Sequence, residues 1–177
     1  MSADSSSTLP QLTLILGGQR SGKSAYGEGL IGSDQQAIYL ATGQALDEEM
    51  TARVALHRKR RGANWTTVEE PLALEAALQE HDQEGRPVLI DSLAMWVCNL
   101  LDSDTDVESE IFALVEALKR IKSPVIVVSD EAGLGVIPDN VLGRNFLDQL
   151  GAVNQRVASH ADRVVFVAAG LPMVLKG

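Results

Sequence analysis

Leu12-Thr13-Leu14-Ile15-Leu16-Gly17-Gly18-Gln19-Arg20-Ser21-Gly22-Lys23-Ser24 is the stretch that decides the fold. A run with strand character ends in glycines, and the G-x-x-x-x-G-K-[ST] pattern of a phosphate-binding loop is complete from Gly17 to Ser24. Backbone N–H groups of such a loop wrap phosphates, and Gly22 permits their close approach. Lys23 neutralises β- and γ-phosphate charge, and Ser24 offers a hydroxyl to Mg²⁺. The competing reading is a glycine turn that merely fits the pattern. The strand before the loop and the helix after it, from Lys23 to about Ile31, argue against that.

Outward from this loop the chain alternates short aliphatic runs with helical patterns. Ala37 to Thr42 reads as a strand ended by Gly43. Asp47-Glu48-Glu49 opens a helix with acids in its first turn, where the dipole favours them, and the helix ends in bases before Gly62. Trp65 to Glu69 suggests a short strand, and Pro71 starts a helix running to about Asp82. Val88-Leu89-Ile90-Asp91 is a strand closed by an acid, followed by a helix over Leu93 to Leu101. An acidic stretch, Asp102 to Glu110, precedes an amphipathic helix carrying Ile111, Leu114, Val115 and Leu118. Val125 to Asp130 and Val164 to Ala169 are further strands, separated by a glycine-rich loop (Gly133 to Pro138) and a helix from about Leu142 to Ala161. Gly170 and Pro172 close the last strand. This gives about five strands alternating with helices, hence a single-domain α/β fold with an open, mainly parallel sheet. Residues 1–10, rich in serine, read as a disordered tail, and 11–177 as the nucleotide-binding domain. Ligands of such sheets bind at the carboxyl ends of the strands, where the glycine loops and acidic strand ends fall.

The composition narrows the function. Aromatics are only 4% of the chain, so the core must rest on Val, Ile, Leu and Ala, a supply that suits buried parallel strands. With 24 acidic and 15 basic residues the net charge is −9, and its field disfavours nucleic acid as a partner. One cysteine, Cys98, excludes an internal disulfide and fits a reducing compartment, so the cytoplasm is expected. No apolar run approaches a membrane span, and the start lacks the basic and apolar segments of a signal peptide.

Beyond the loop, Asp91 has the position of the acid that holds Mg²⁺ opposite it. Capping of the next helix is the alternative, a task Ser92 could also perform. Asp130-Glu131 is a second candidate for the metal role, and the sequence does not rank the two. Asp130-Glu131-Ala132-Gly133 also fits the D-x-x-G turn of GTP-hydrolysing switches, but the N-K-x-D guanine-reading motif of those proteins does not occur. Within an acidic chain, Arg53, Arg58, Lys59, Arg60 and Arg61 cluster around His57. Either this is a solvated helix end, or His57 is a nucleophile toward phosphorus, with the arginines neutralising phosphate and keeping the imidazole unprotonated. The residues alone leave both open. His81 and His160 sit in polar helical contexts and read as surface residues.

These motifs resemble one family, the bifunctional adenosylcobinamide kinase / adenosylcobinamide-phosphate guanylyltransferases of cobalamin biosynthesis. The resemblance is carried by Leu16 to Ser24, Tyr39 to Thr42, Asp47 to Met50 with Arg53, His57 and Arg58, and Trp65 to Pro71. It continues through Val88 to Leu93 with Trp96 and Asn99, then Glu131 to Pro138, Gly143-Arg144, Asn154-Gln155 and Gly170-Leu171-Pro172. It implies a recombinase-like P-loop fold and two reactions: phosphorylation of adenosylcobinamide, a corrinoid, by ATP or GTP, then transfer of GMP from GTP to that phosphate with loss of pyrophosphate. The second reaction passes, by resemblance, through a guanylylated His57. Nucleotide contacts implied are Gly17, Gly18, Gln19, Arg20, Ser21, Gly22, Lys23, Ser24, Thr42, Gly43, Arg58, Lys59, Arg60, Arg61, Glu69 and Asp91, with Mg²⁺ on Ser24 and Asp91. A homotrimer is implied as well. The chain departs from the family at Asp130, where many relatives carry asparagine, at Ser92, where they carry cysteine, and at Gly43, where serine is common. Two rival functions remain on the residues: a GTP-dependent regulatory switch, and a small-metabolite P-loop kinase without guanylyl transfer.

Overall fold

The period-two alternation of β1 (Leu12–Gly17) sets the layering of the whole molecule. Leu12, Leu14 and Leu16 enter one apolar cluster and Ile15 enters another on the opposite face of the sheet. We describe a computed structural model of the chain over residues 9–44 and 62–177. The sheet has seven strands in the order β3-β2-β4-β5-β1-β6-β7. These are β1, β2 (Ala37–Ala41), β3 (Trp65–Glu69), β4 (Val88–Asp91), β5 (Val125–Val128), β6 (Arg163–Ala168) and β7 (Leu171–Lys176). All neighbours pair in parallel except β6 and β7.

The larger cluster packs α2 (Leu74–Glu80), α3 (Leu93–Leu101), α4 (Val107–Arg120) and α5 (Val141–His160) on one face of the sheet. Trp96 is fully buried there, and its indole N–H donates to the Leu72 carbonyl at 2.7 Å, which fixes the segment leading into α2. The other cluster takes α1 (Lys23–Leu30), whose Gly27 lies so close to the sheet that a Cβ would stand 3.1 Å from both Ile15 Cδ1 and Leu89 Cδ1. Leu9 packs on this cluster too, so the folded part reaches two residues into the expected tail.

The α/β reading holds, with corrections at the strand count and at two helix starts. The count of about five falls two short: Trp65 to Glu69, only suggested as a strand in the sequence, is β3, and β7 is missed because Pro172 makes that run look like a terminus. Ala169 (φ 51°) and Gly170 (φ 80°) form a two-residue turn with both φ positive, the geometry that returns a strand beside its predecessor. Proline is tolerated because β7 is an edge strand. The acidic stretch before α4 is partly helical: Asp106 Oδ1 accepts from the backbone N–H groups of Glu108 and Ser109, so the helix begins at Val107. Pro71 does not start α2. Glu70 Oε1 instead accepts from the N–H groups of Leu72 and Ala73, ahead of the helix start at Leu74. Among the described residues no helix is long and apolar enough to cross a membrane.

Candidate active site

Parallel register brings every acid-tipped strand to one edge. Ala41 lies opposite both Asp91 and Glu69, Asp91 opposite Val128, and Val128 opposite Ile15, two residues before the phosphate-binding loop. The loop leaves β1 at Gly17 (φ 156°), where a Cβ would lie 2.4 Å from the Val167 carbonyl oxygen and 2.7 Å from Ser21 Oγ. It turns through Arg20 (φ 57°) and enters α1 at Gly22 (φ 100°), the N-cap position. Gly18, Gln19 and Arg20 are exposed, as a cradle for phosphate requires, while Ser21, Gly22 and Ser24 are half-buried. Ser21 N–H donates to the Gly18 carbonyl (3.2 Å), and its own carbonyl accepts from Gly170 N–H (2.8 Å), which ties the loop to the β6–β7 turn. No side chain caps the start of α1, so its free N–H groups and dipole face the loop.

This geometry sets a stability prediction. Gly17→Ala is expected to cost about 2–3 kcal/mol, because the added methyl meets backbone that has nowhere to move. Gly18→Ala should stay within about 0.5 kcal/mol, since nothing lies within 4 Å of its Cβ position. Urea unfolding of the two variants distinguishes them; equal effects would contradict the loop geometry.

Lys23 is only 7% exposed and lies along the loop. Its Nζ donates to the Gly18 carbonyl at 2.6 Å and pairs with Asp130 Oδ1 at 2.6 Å. Asp130 follows β5, and its backbone is pinned on three sides. Ser129 N–H donates to the Ile15 carbonyl (2.9 Å), Glu131 N–H donates to the Gly17 carbonyl (3.1 Å), and Asn154 Nδ2 donates to Asp130's own carbonyl (3.0 Å). Asn154, 5% exposed, accepts from Ser129 Oγ at 2.6 Å through its other amide atom. It is a positioning residue, satisfied at both ends of its amide.

Asp91 closes β4 half-buried, with Oδ2 accepting from Tyr39 Oη at 2.6 Å. Tyr39 in turn packs edge-to-face against Trp65, with ring centroids 6.1 Å apart. Ser92 Oγ accepts from Met95 N–H at the start of α3, so capping falls to Ser92 and not to Asp91. Thr42 is fully buried: its hydroxyl donates to the Ser92 carbonyl (2.7 Å) and accepts from Ser92 N–H (2.8 Å). Asn99 Nδ2 donates to the Thr42 (2.7 Å) and Pro71 (3.0 Å) carbonyls, locking the segments that follow β2 and β3 to α3. Gly43 follows half-buried, and Glu69 is exposed at the tip of β3. Burial first, then the negative charges of Asp102 and Asp130, push the Cys98 thiol up, so it is held protonated and unsuited to nucleophilic work.

The structure therefore gathers Gly17 to Ser24, Thr42, Gly43, Glu69 and Asp91 at one edge. His57, Arg58, Lys59, Arg60 and Arg61, with the helix expected around them, lie outside the described residues. In the sequence, Tyr39, Asn99 and Asn154 stand among the residues that carry the resemblance, but nothing there gives them a role in the site. Apart from the resemblance, a local signal exists for Asn154, a polar residue within the apolar stripe Leu150, Val153 and Val157. Among the described residues no group of three His, Cys, Asp or Glu side chains could cage a metal. One hydroxyl and one carboxylate suit Mg²⁺, which keeps waters and takes its other ligands from substrate phosphates.

Comparison with known proteins agrees with this geometry. The family model described as "Cobinamide kinase / cobinamide phosphate guanyltransferase" matches residues 13–175. The chain is 47% identical over 167 residues to the bifunctional adenosylcobalamin biosynthesis protein CobP of Pseudomonas aeruginosa, covering 93% of this chain and 96% of that one. It is 36% identical over 180 residues to the bifunctional adenosylcobalamin biosynthesis protein CobU of Escherichia coli, covering 93% and 99%. In fold it is similar to an ATPase from the type III secretion system of pathogenic bacteria, with a TM-score of 0.52 and 14% identity. That likeness covers 94% of this chain but only 57% of the ATPase, and at such low identity it speaks to the fold alone. A complete phosphate loop, an acid-tipped neighbouring strand and a family match across nearly the whole chain lead to one conclusion: this chain belongs to the cobinamide kinase / cobinamide phosphate guanyltransferase family, and is an enzyme of that bifunctional kind.

Proposed function

We propose that this enzyme first transfers the γ-phosphoryl of ATP or GTP to the terminal hydroxyl of adenosylcobinamide. It then joins GMP from GTP to that phosphate, giving adenosylcobinamide-GDP and pyrophosphate. The observation that carries this reading is the family match over residues 13–175 together with a phosphate loop whose lysine is built into the cradle. In the first reaction the loop N–H groups and Lys23 hold the triphosphate, and catalysis is mainly positioning and charge neutralisation. A magnesium ion held by Ser24 and Asp91 would neutralise further phosphate charge there; the Tyr39 hydrogen bond holds the Asp91 carboxylate in place for it.

In the second reaction a His57 nitrogen attacks the α-phosphorus of GTP. An N–P bond forms, the bond from the α-phosphorus to the bridging oxygen breaks, and pyrophosphate leaves. An oxygen of adenosylcobinamide phosphate then attacks the same phosphorus and restores the free imidazole. The flanking Arg58, Lys59, Arg60 and Arg61 supply positive charge to the phosphates in an otherwise acidic chain. The homotrimer and the cytoplasmic location belong to the same reading. Exposed Leu171, Met173, Val174 and Leu175 on edge strand β7 support a subunit interface.

The test is product mass. Purified enzyme with Mg²⁺ and adenosylcobinamide should yield the phosphate with ATP alone, and the GDP-linked corrinoid once GTP is present. Phosphate product that GTP never carries further would favour the plain kinase. GTP hydrolysis without any modified corrinoid would favour the switch.

A further inference from the structure

The Lys23–Asp130 pair occupies the position that a triphosphate needs. With Lys23 Nζ 2.6 Å from both Asp130 Oδ1 and the Gly18 carbonyl, the cation meant for the β- and γ-phosphates is already neutralised from within. The pair is asymmetric: the lysine side chain is 8% exposed and the aspartate 26%. Lys23 is thus enclosed by the loop, while the carboxylate stands at the mouth. Asp130 also cannot move away as a unit, because Ser129 and Glu131 are bonded to β1 and its carbonyl is held by Asn154. When phosphate claims Lys23, the carboxylate loses its counter-charge yet stays beside the incoming anion.

From this geometry we infer that Asp130 is an internal counter-anion that makes nucleotide binding depend on Mg²⁺. Metal-free nucleotide must displace Asp130 from Lys23 and then sit against an unpaired carboxylate, two costs at once. A Mg²⁺-bound nucleotide carries less negative charge and places a cation near the strand tips, so the released carboxylate regains a partner. Asp130 thereby screens out free nucleotide in favour of the metal complex. The inference rests on the Mg²⁺ reading given above, but adds a residue outside the pair Ser24 and Asp91.

The test is calorimetric titration of the full chain with an α,β-methylene analogue of GTP, which cannot donate GMP, in EDTA and in excess Mg²⁺. Asp130→Asn should cut the ratio of the two Kd values by about tenfold, chiefly by tighter binding in EDTA. Asp130→Ala should give the same change, since the effect is one of charge. Glu84→Gln, an exposed acid before β4 at the opposite end of the strands, controls for net charge and should leave the ratio as in wild type. A wild type whose affinity does not respond to Mg²⁺ would remove the proposed metal site and this inference together. A responsive wild type with an unchanged ratio in both Asp130 variants overturns this inference alone. A parallel loss of affinity in both buffers also overturns it, because Asp130 would then be only a scaffold for the loop.

Discussion

Replacing His57 with alanine is expected to abolish GMP transfer, by on the order of 10⁴-fold or more, while phosphorylation of adenosylcobinamide by ATP continues at a measurable rate. The split is what makes the result informative. A nucleophile is needed only in the step that forms a covalent intermediate, whereas the kinase step is direct transfer between nucleotide and hydroxyl. A residue serving only the fold would lower both reactions and the unfolding midpoint together. The other candidate soft nucleophile, Cys98, is held protonated by burial and by nearby acids, so it offers no replacement. Retention of GMP transfer in the His57→Ala enzyme would contradict the assignment.

The second large effect is expected at Lys23. Lys23→Ala should weaken triphosphate binding by about 30- to 1,000-fold and depress both reactions, because it removes an enclosed, hydrogen-bonded cation from the phosphate cradle. Part of that loss comes from Asp130, left facing the phosphates without a counter-charge. The double variant Lys23→Ala/Asp130→Asn should therefore bind more tightly than Lys23→Ala alone, by about tenfold. Calorimetric titration of wild type, both single variants and the double variant in excess Mg²⁺, where Asp130→Asn alone should change affinity little, checks this; strict additivity would show that the pair does not couple. The contrast with His57 is also diagnostic, since Lys23 should affect both chemistries and His57 only one.

Much of this site is legible in the chain because its parts are local. Gly17 to Ser24 form a continuous motif whose strand and helix are its immediate neighbours, and Asp91 ends a three-residue aliphatic run. What escapes is the long-range wiring. Nothing near Tyr39 announces that its hydroxyl will reach Asp91, since strand pairing alone brings them together. The Lys23–Asp130 pair likewise exists because β1 and β5 are neighbours in the sheet. The wiring of Thr42 is equally silent in the chain: its hydroxyl donates to the Ser92 carbonyl and accepts from Ser92 N–H, joining the ends of β2 and β4. β7 was hidden by Pro172, a residue that demotes a strand except at an edge, and edge position is a property of the assembled sheet.

If GMP passes through His57, as we propose, the intermediate should be visible on the protein itself. Wild-type enzyme incubated with GTP and Mg²⁺, without corrinoid, should gain the mass of one GMP. Peptide mapping should locate it on His57, in a bond stable to base and released by acid. Enzyme that turns over adenosylcobinamide phosphate yet carries no such adduct, or carries it on another residue, would contradict the account.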